Sequence, residues 1–454
     1  MNKPKKKRLS LLLIFAVSFT MIFGSMGFAQ AASYSKTKTA FEKCGDYLYN
    51  ESAAPVFGSI GGEWIIYGLG HAGHAMSDSY LAAYRKSVEK ALEEGYRGAK
   101  GIFHDKKFTE YSRVIVAMSA VGMDATDVDG YDLTAPLADF VNVKWQGMNG
   151  PIWALIALDS GKYEMPKRTD AYEYGTLTPD ETDRQNSRQK MIDFILANQF
   201  DDGGWNLQPK EKDSSGYNAV SDVDMTGMAL IALAPYRKQA KAIDRAISYL
   251  SEQQQASGGF GSWGTLNSES CAQVICALTA CGVNPNTDKR FVKNGKSVLD
   301  GLMSFYDEKA GGFRHVNTAS GGYEPVVNQM ATEQAYYALA FFYKSVPNKV
   351  ALTKAAKVGN GKLKVTWKKA AINTDYVTKQ SGKTATVSGY QIVCATDKKF
   401  TKNVVKTSTS GKNLTKTVTG LKKGKTYYVK LRAYKTVNGK KIYGQYSSVK
   451  TQKV

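Results

Sequence analysis

The sequence predicts a multidomain protein in which an all-α (α6/α6) toroid is followed by an all-β sandwich. Three observations carry this prediction. Gly-Gly-aromatic turns recur about every 54 residues, one helical pattern recurs between them, and the last hundred or so residues alternate apolar and charged side chains. With 454 residues, 43% of them apolar, the chain can bury a large core. The predicted boundaries are 1–31, 35–345 and 349–454.

Residues 1–31 predict a secretory signal peptide. Five basic residues between Lys3 and Arg8 precede an apolar stretch from Leu9 to Phe28, and Ala29-Gln30-Ala31 provides a small-x-small cleavage site. The alternative is an uncleaved membrane anchor, since the apolar run is long enough to span a bilayer. We therefore expect a secreted protein, extracellular or associated with the cell wall, that meets a membrane only if the signal is retained.

The region 35–345 consists of helical patterns separated by repeated turns. The turns are Gly203-Gly204-Trp205, Gly258-Gly259-Phe260 and Gly311-Gly312-Phe313. Helices that are apolar nearly all round alternate with amphipathic, charged helices, which predicts an inner and an outer layer. Outer helices are expected near 37–49, 77–94, 133–141, 184–198, 240–254 and 297–306, and inner helices near 63–70, 109–121, 149–159, 222–235, 268–281 and 330–344. Six such hairpins close into a ring, because an open stack would expose apolar faces at both ends.

The region 349–454 predicts a β-sandwich. Leu363, Val365 and Trp367 alternate with polar residues, as do the apolar residues from Tyr427 to Ala433. About seven short strands in a hundred residues are typical of two packed sheets. The segment Leu421–Tyr427 resembles the loop and corner tyrosine of a fibronectin type III domain, with Trp367 in the place of its core tryptophan.

The net charge of +21 is unevenly distributed. Residues 351–454 carry 24 Lys and Arg against Asp375 and Asp397, whereas 32–350 is net negative. Since no helix-turn-helix, zinc-finger or RNA-binding motif accompanies the basic region, we expect no nucleic-acid partner. The expected partner is an anionic cell-wall polymer, bound through the basic C-terminal domain.

The helical region resembles the prenyltransferase and squalene-oxidase repeat superfamily, which includes the terpenoid cyclases. The segment Ala197–Trp205 is close to the Gln-Gly-Trp repeat of that superfamily, and the two later Gly-Gly-Phe turns extend the resemblance over about 300 residues. The resemblance implies a toroid with a central cavity. It does not by itself imply a reaction.

The sharpest chemical feature is Asp222-Val223-Asp224-Met225-Thr226. It resembles the Asp-x-Asp-Asp-Thr stretch of squalene-hopene-type cyclases, which implies Asp224, with Asp222, as the candidate catalytic acid. Met225 stands where that motif has its last aspartate, whose role is to keep the central one acidic. The alternative is structural, with Ser221 or Asp222 capping the fourth inner helix and Asp224 complementing its dipole.

The inner helices run in the same direction, so their N-termini should meet at one rim of the toroid. Polar residues there and aromatic residues beside them are candidate ligand-binding residues, and the alternative is that they cap helices or fill the core. The candidates are Trp64, Tyr67, Asn149, Trp153, Trp205, Tyr217, Asp224, Glu269, Thr332 and Glu333. An unidentified small ligand or protein segment is the expected partner of this cavity.

No cofactor and no metal site is expected. Glu269-Ser270-Cys271 with His315, and His71 with His74 in a Gly-rich turn, come nearest to a zinc set, and neither supplies the usual ligands. Cys271, Cys276 and Cys281, spaced by five, are interpreted as small core residues.

Two functions remain open from the sequence. The first is a secreted, surface-associated and non-catalytic binding protein, with a ligand cavity in the toroid and a wall-binding sandwich. The second is a secreted terpenoid cyclase-like or polysaccharide lyase-like enzyme that uses the same cavity, although the motifs for either chemistry are incomplete.

Overall fold

A computed structural model describes residues 26–52, 54–169, 183–210, 220–370, 372 and 386–454, with side chains from residue 37 onward. The apolar stretch of the predicted signal lies largely outside these ranges. In the part of the chain that is described, no helix combines the length and the apolar character that crossing a membrane requires.

Twelve α-helices are found in the described ranges, and they form two layers. In chain order they are α1 (Met26–Glu51), α2 (Glu63–Ala72), α3 (Asp78–Glu94), α4 (Thr109–Ala120), α5 (Phe140–Lys144), α6 (Asn149–Ser160), α7 (Arg188–Ala197), α8 (Val223–Leu233), α9 (Ala240–Gln253), α10 (Ser268–Ala280), α11 (Val298–Met303) and α12 (Gln329–Ser345). The even-numbered helices are the predicted inner helices, and the odd-numbered ones are the outer helices.

The inner helices form a closed ring. Each even-numbered helix packs against the next, and α12 packs against α2 to complete the circle. In α10 every residue from Ser268 to Thr279 is buried, as expected for a helix with neighbours on all sides. The predicted toroid is therefore observed, with six inner helices around one axis.

The Gly-Gly-aromatic turns lie at the N-terminal ends of the inner helices that follow them. Trp205 N–H donates to Thr226 Oγ1 of α8 at 3.0 Å, and Phe313 N–H donates to Thr332 Oγ1 of α12 at 2.9 Å. A Cβ atom on Gly204 would lie 2.9 Å from Thr226 Oγ1, so the second glycine permits this close approach. The turns thus fix the start of the inner helices to one end of the ring.

Two predictions about the helices were wrong. The expected outer helix at 133–141 is a 3₁₀ turn at Ala135–Ala138 followed by the short α5, because Asp139 starts a new helix by accepting a hydrogen bond from Asn142 N. The expected Gly-rich turn around His71 is helical, and α2 ends only where Gly73 adopts a left-handed conformation.

Short strand pairs join helices of the toroid, and a two-sheet domain follows it. The pairs are β1 (Phe260–Ser262) with β2 (Thr265–Asn267), β3 (Val292–Lys293) with β4 (Lys296–Ser297), and β5 (Tyr306–Asp307) with β6 (Gly312–Phe313). The later strands are β7 (Leu352–Gly359), β8 (Lys362–Trp367), β9 (Gly389–Ala395), β10 (Val405–Ser410), β11 (Thr415–Val418), β12 (Thr426–Val437), β13 (Lys440–Tyr443) and β14 (Lys450–Lys453).

The later strands form a β-sandwich. One sheet has the order β11-β8-β7, and the other has β10-β9-β12-β13 with β14 also paired to β12, all antiparallel. Leu363, Val365 and Trp367 point into the shared core, as their alternation predicts. Tyr427 Oη accepts a hydrogen bond from Lys422 N at 3.0 Å, which fixes the loop that enters β12.

The hairpin of β12 and β13 docks on the C-terminal ends of two inner helices. Asn438 Nδ2 donates to Ala280 O at the end of α10, and Lys435 Nζ donates to Lys344 O near the end of α12, both at 2.9 Å. Ile442 is only 1% exposed and belongs to the apolar core of the helical domain. The sandwich therefore sits at the end of the ring opposite the helix N-termini.

Candidate functional site

A cavity of about 430 Å³ opens at the N-terminal rim of the ring. Residues of five inner helices line it, and the β1–β2 hairpin and the loop after β6 complete its wall. The lining residues are Trp64, Asn149, Trp153, Asp224, Met228, Ser262, Trp263, Thr265, Asn267, Glu269, Gln273, His315, Tyr323, Met330, Gln334 and Tyr337. The expected convergence of N-terminal residues is thus observed for α2, α6, α8, α10 and α12.

Asp222 and Asp224 have different places at the start of α8. Asp222 is the N-cap, since its Oδ1 accepts a hydrogen bond from Met225 N at 2.9 Å, and its Oδ2 accepts one from the Ser262 hydroxyl. Asp224 lies one residue inside the helix and faces the cavity, and its Oδ1 is buried without a hydrogen-bond partner in the described structure. The capping alternative therefore applies to Asp222, and Asp224 is the carboxylate available to a ligand.

The environment of Asp224 makes it a weak acid. Burial, reinforced by the negative charges of Asp222 and Glu269, raises its pKa to about 7, although the hydroxyls of Ser270 and Ser262 act in the opposite direction. Near neutral pH the side chain is therefore divided between its protonated and ionised forms. Protonating an unactivated alkene needs a strong acid, and a raised pKa moves Asp224 away from that chemistry.

Glu269 is held beside Asp224 by a pair of polar neighbours. Its Oε2 accepts a hydrogen bond from the Ser268 hydroxyl at 2.9 Å and lies 2.8 Å from His315 Nδ1. Its Oε1 is buried without a partner among the described residues, and so is Asn149 Oδ1. Three buried oxygen atoms of cavity-lining residues, one each from α6, α8 and α10, thus lack a hydrogen-bond partner in the described structure.

Aromatic rings form the inner part of the cavity. The Trp64 and Trp153 ring centroids are 5.3 Å apart, and Tyr337 lies 6.2 Å from Trp64. The Tyr337 hydroxyl accepts a hydrogen bond from Gln273 Nε2 at 2.7 Å, which leaves its ring on the wall. Below them a small apolar space of about 20 Å³ is bordered by Tyr67, among others. The cavity therefore combines polar groups near the helix N-termini with aromatic rings on its inner wall.

The lip of the cavity contains aromatic residues that the sequence interpretation missed. Trp263, at the tip of the β1–β2 hairpin, has φ of 51° and is 55% exposed. Tyr323 is 52% exposed, and its ring is tilted against that of His315 with the centroids 4.3 Å apart. A positive φ is uncommon for a bulky residue, and here it places the Trp263 ring at the lip. The signal in the sequence was Trp263-Gly264, which places a tryptophan in a turn where Asn or Asp is usual.

The structure places three further candidates, Trp205, Thr332 and Glu333, outside the cavity wall. Trp205 is fully buried and its indole N–H donates to Ile195 O, because the Gly-Gly turn directs it into the core. Thr332 is also buried, where it bonds the Phe313 turn. Glu333 accepts a hydrogen bond from Gly61 N at 2.9 Å, and Tyr217 lies outside the described residues.

The nearest zinc candidates do not assemble a site. Glu269 and His315 are in contact, but Cys271 Sγ is buried and accepts the Phe260 N–H. His71 packs between the rings of Tyr67 and Phe341. Across the described ranges, no three His, Cys, Asp or Glu side chains are grouped in a way that could hold a metal ion.

Comparison with known families supports the interpretation of the helical region. Residues 174–313 match the squalene-hopene cyclase C-terminal domain. The matched segment includes α7 to α11, and with them Asp222, Asp224 and Glu269. No curated protein matches the chain.

Solved structures resemble the two parts of the chain only distantly. The type II terpene cyclase MstE from Scytonema, solved with merosterolic acid A, has 11% identity and a TM-score of 0.39, covering 69% of this chain and 97% of that one. The ent-copalyl diphosphate synthase from Streptomyces platensis has 20% identity and a TM-score of 0.37, covering 62% of this chain and 50% of that one. The FN5 domain of Drosophila Lar has 22% identity and a TM-score of 0.18, covering 24% and 96%.

Proposed function

We propose that the protein is a secreted, surface-associated and non-catalytic ligand-binding protein. The toroid cavity holds a small ligand, and the basic sandwich, a fibronectin type III-like domain, holds the protein to an anionic wall polymer. The observation that carries the proposal is the cavity itself, with unpartnered oxygens near the helix N-termini and tryptophan rings on its inner wall. Such a combination of an apolar wall with a few converging polar groups is typical of small-molecule sites.

A neutral solvatochromic dye tests whether the cavity is open to ligands. Nile red should bind the mature chain with a blue-shifted emission, and Met228→Trp should weaken that binding at least about tenfold because the larger ring fills the cavity. Met165→Trp, a similar change outside the cavity wall, should leave it unchanged. Equal binding by both variants, measured by fluorescence titration, would show that the dye sits elsewhere.

The outward face of the larger sheet supports the proposed wall-binding role. A cation–aromatic ladder runs across it, formed by Phe400, Lys430, Tyr446, Arg432 and Tyr443. Lys430 Nζ is 3.9 Å from the Phe400 centroid, and Arg432 Cζ is 3.8 Å from the Tyr443 centroid. The ion pair observed for the described sandwich joins Lys440 to Asp244 of α9. Lys430 and Arg432 therefore have no carboxylate partner among the described residues. A linear polyanion supplies the missing charge.

The alternative is an enzyme acting in the same cavity. The resemblance to cyclases and the cavity position of Asp224 favour a terpenoid cyclase, whereas a polysaccharide lyase would need Tyr, His and Arg together and the described cavity wall contains no Arg. Met225 is buried and does not line the wall, so the last aspartate of the cyclase motif has no counterpart at its own position. These features favour binding over catalysis.

Incubation with squalene and with geranylgeranyl diphosphate separates the two functions. We expect no cyclised product, because Asp224 is a weak acid, and none from Met225→Asp, since the pocket must also shape a carbocation. Gas chromatography with mass detection provides the readout. Product formed by the native chain and lost in Asp224→Asn would establish the enzyme instead.

A further inference from the structure

The chemistry of the cavity wall favours one class of ligand head group. The three unpartnered oxygens, Asn149 Oδ1, Asp224 Oδ1 and Glu269 Oε1, are hydrogen-bond acceptors on three neighbouring inner helices. A buried polar atom without a partner costs free energy that a bound donor restores. The group that completes this wall is therefore one with several N–H donors.

The charge of the cavity wall also favours a head group with N–H donors, and specifically a cationic one. The described lining contains the carboxyl groups of Asp224 and Glu269 and no Lys or Arg, and His315 Nδ1 is already directed to Glu269 Oε2. An anionic head group would face two acidic side chains. A cation would neutralise them.

The helix N-termini at the rim do not reverse this preference. A helix N-terminus attracts anions chiefly through its free N–H groups. At three of the five helices a side chain already occupies such a group, since Asp222, Asn267 and Asn328 cap α8, α10 and α12, whereas α2 and α6 have no side-chain cap. The attraction that remains at the helix N-termini is for negative charge, which Asp224 and Glu269 already supply.

The aromatic part of the cavity suits the same ligand. The Trp64 ring centroid lies 5.3 Å from that of Trp153 and 6.2 Å from that of Tyr337, and Trp263 and Tyr323 stand at the lip. Aromatic faces attract ammonium groups and also pack against an apolar body. A volume of about 430 Å³ admits such a molecule.

We propose that the cavity binds an organic ammonium ion, with a protonated amine at Asn149, Asp224 and Glu269 and an apolar body against Trp64 and Trp153. This inference rests on the proposed ligand-binding function and specifies its ligand class. The two can fail separately.

Three probes with the same apolar body test the proposal. Octylammonium, octanol and octanoate are titrated into the mature chain by isothermal calorimetry at pH 8. We expect octylammonium to bind at least about thirtyfold more tightly than octanoate, with octanol between them. Equal or tighter binding of octanoate or octanol would overturn the ammonium assignment and leave the binding function intact. No binding heat from any probe at either of two temperatures would overturn both, since apolar binding that is athermal at one temperature is not so at another.

A carboxylate variant locates the head group. Glu269→Gln should weaken octylammonium at least about tenfold and leave octanol unchanged, whereas Glu252→Gln on the exposed side of α9 should change neither. An unchanged octylammonium affinity in Glu269→Gln contradicts the proposal. If that variant does not fold, the preference among the three probes for the native chain still decides it.

Discussion

Asp224→Asn is expected to raise the free energy of unfolding at pH 8 by about 2 to 4 kcal/mol and to leave it nearly unchanged at pH 4. Burial raises the pKa of Asp224 in the folded chain to about 7, from about 3.9 when exposed. The folded state therefore binds this proton more tightly than the unfolded state does. The stabilising contribution of the Asp224 proton is complete below pH 4 and is lost as the pH rises to 7. Each pKa unit corresponds to about 1.4 kcal/mol of free energy of unfolding.

The groups around Asp224 set the direction of this effect. Asp222 and Glu269 face it from α8 and α10, and both disfavour its ionised form, while Ser262 and Ser270 contribute hydroxyls. Glu333 contributes the same trend, since burial also raises its pKa to about 7. The native chain should lose stability between pH 4 and pH 7 on both accounts.

Chemical denaturation at pH 4 and pH 8 measures the difference. Asp193→Asn, an exposed position on α7, is the matched control and should be neutral at both values. If the Asp224→Asn variant were less stable than the native chain at pH 8, the fold would favour the ionised carboxylate, contrary to this prediction. The expected gain instead identifies Asp224 as a group that weakens the empty toroid at neutral pH.

Replacing both ladder cations, Lys430→Gln with Arg432→Gln, should weaken binding to a linear polyanion at least about tenfold. Both side chains carry depressed pKa values, Lys430 through burial and the nearby charges of Arg432 and Lys406, and Arg432 through burial. A bound anion relieves that repulsion, and each charge-assisted hydrogen bond is worth about 1.5 to 3 kcal/mol. Binding should also fall steeply towards 0.5 M salt, roughly where exposed charges are fully screened.

The control removes the same charge from the other sheet. Lys362→Gln with Lys364→Gln changes two exposed residues of β8 and should cost less than about twofold. The assay uses the whole mature chain, because Ile442 ties the sandwich to the helical core. Polygalacturonate and polyglycerol phosphate separate a carboxylate from a phosphate polymer. Equal losses of affinity in the two double variants would show that the polyanion responds to the overall positive charge and not to the ladder. No loss of affinity in either would show that the sandwich is a soluble spacer.

The repeats allowed most of the toroid to be predicted. Helices such as α10 are apolar nearly all round, a pattern that local sequence displays without reference to distant residues. The outer segment at 133–141 was harder, because a proline and the N-cap Asp139 divide it and local propensity competes with packing. The sandwich core followed from strict alternation, as Leu363, Val365 and Trp367 show.

The candidate site was predictable only in part. Asn149, Asp224 and Glu269 could be placed at one rim, because parallel inner helices bring equivalent positions together. Trp205 could not be separated from Trp153 by sequence, since a tryptophan side chain suits both a core and a cavity wall. The turn at Gly204 sends Trp205 into the core, while a position one turn inside α6 directs Trp153 to the cavity.

The sequence by itself determined the two domains, the alternation of inner and outer helices and the basic character of the sandwich, since each of these is a periodicity or a composition. Tertiary structure alone decided that Asp224 Oδ1 and Glu269 Oε1 stay unpartnered, that Trp263 and Tyr323 stand at the lip, and that the β12–β13 hairpin docks on α10 and α12. These features depend on distances between residues far apart in the chain. Such distances are set when the ring closes, and no local pattern encodes them.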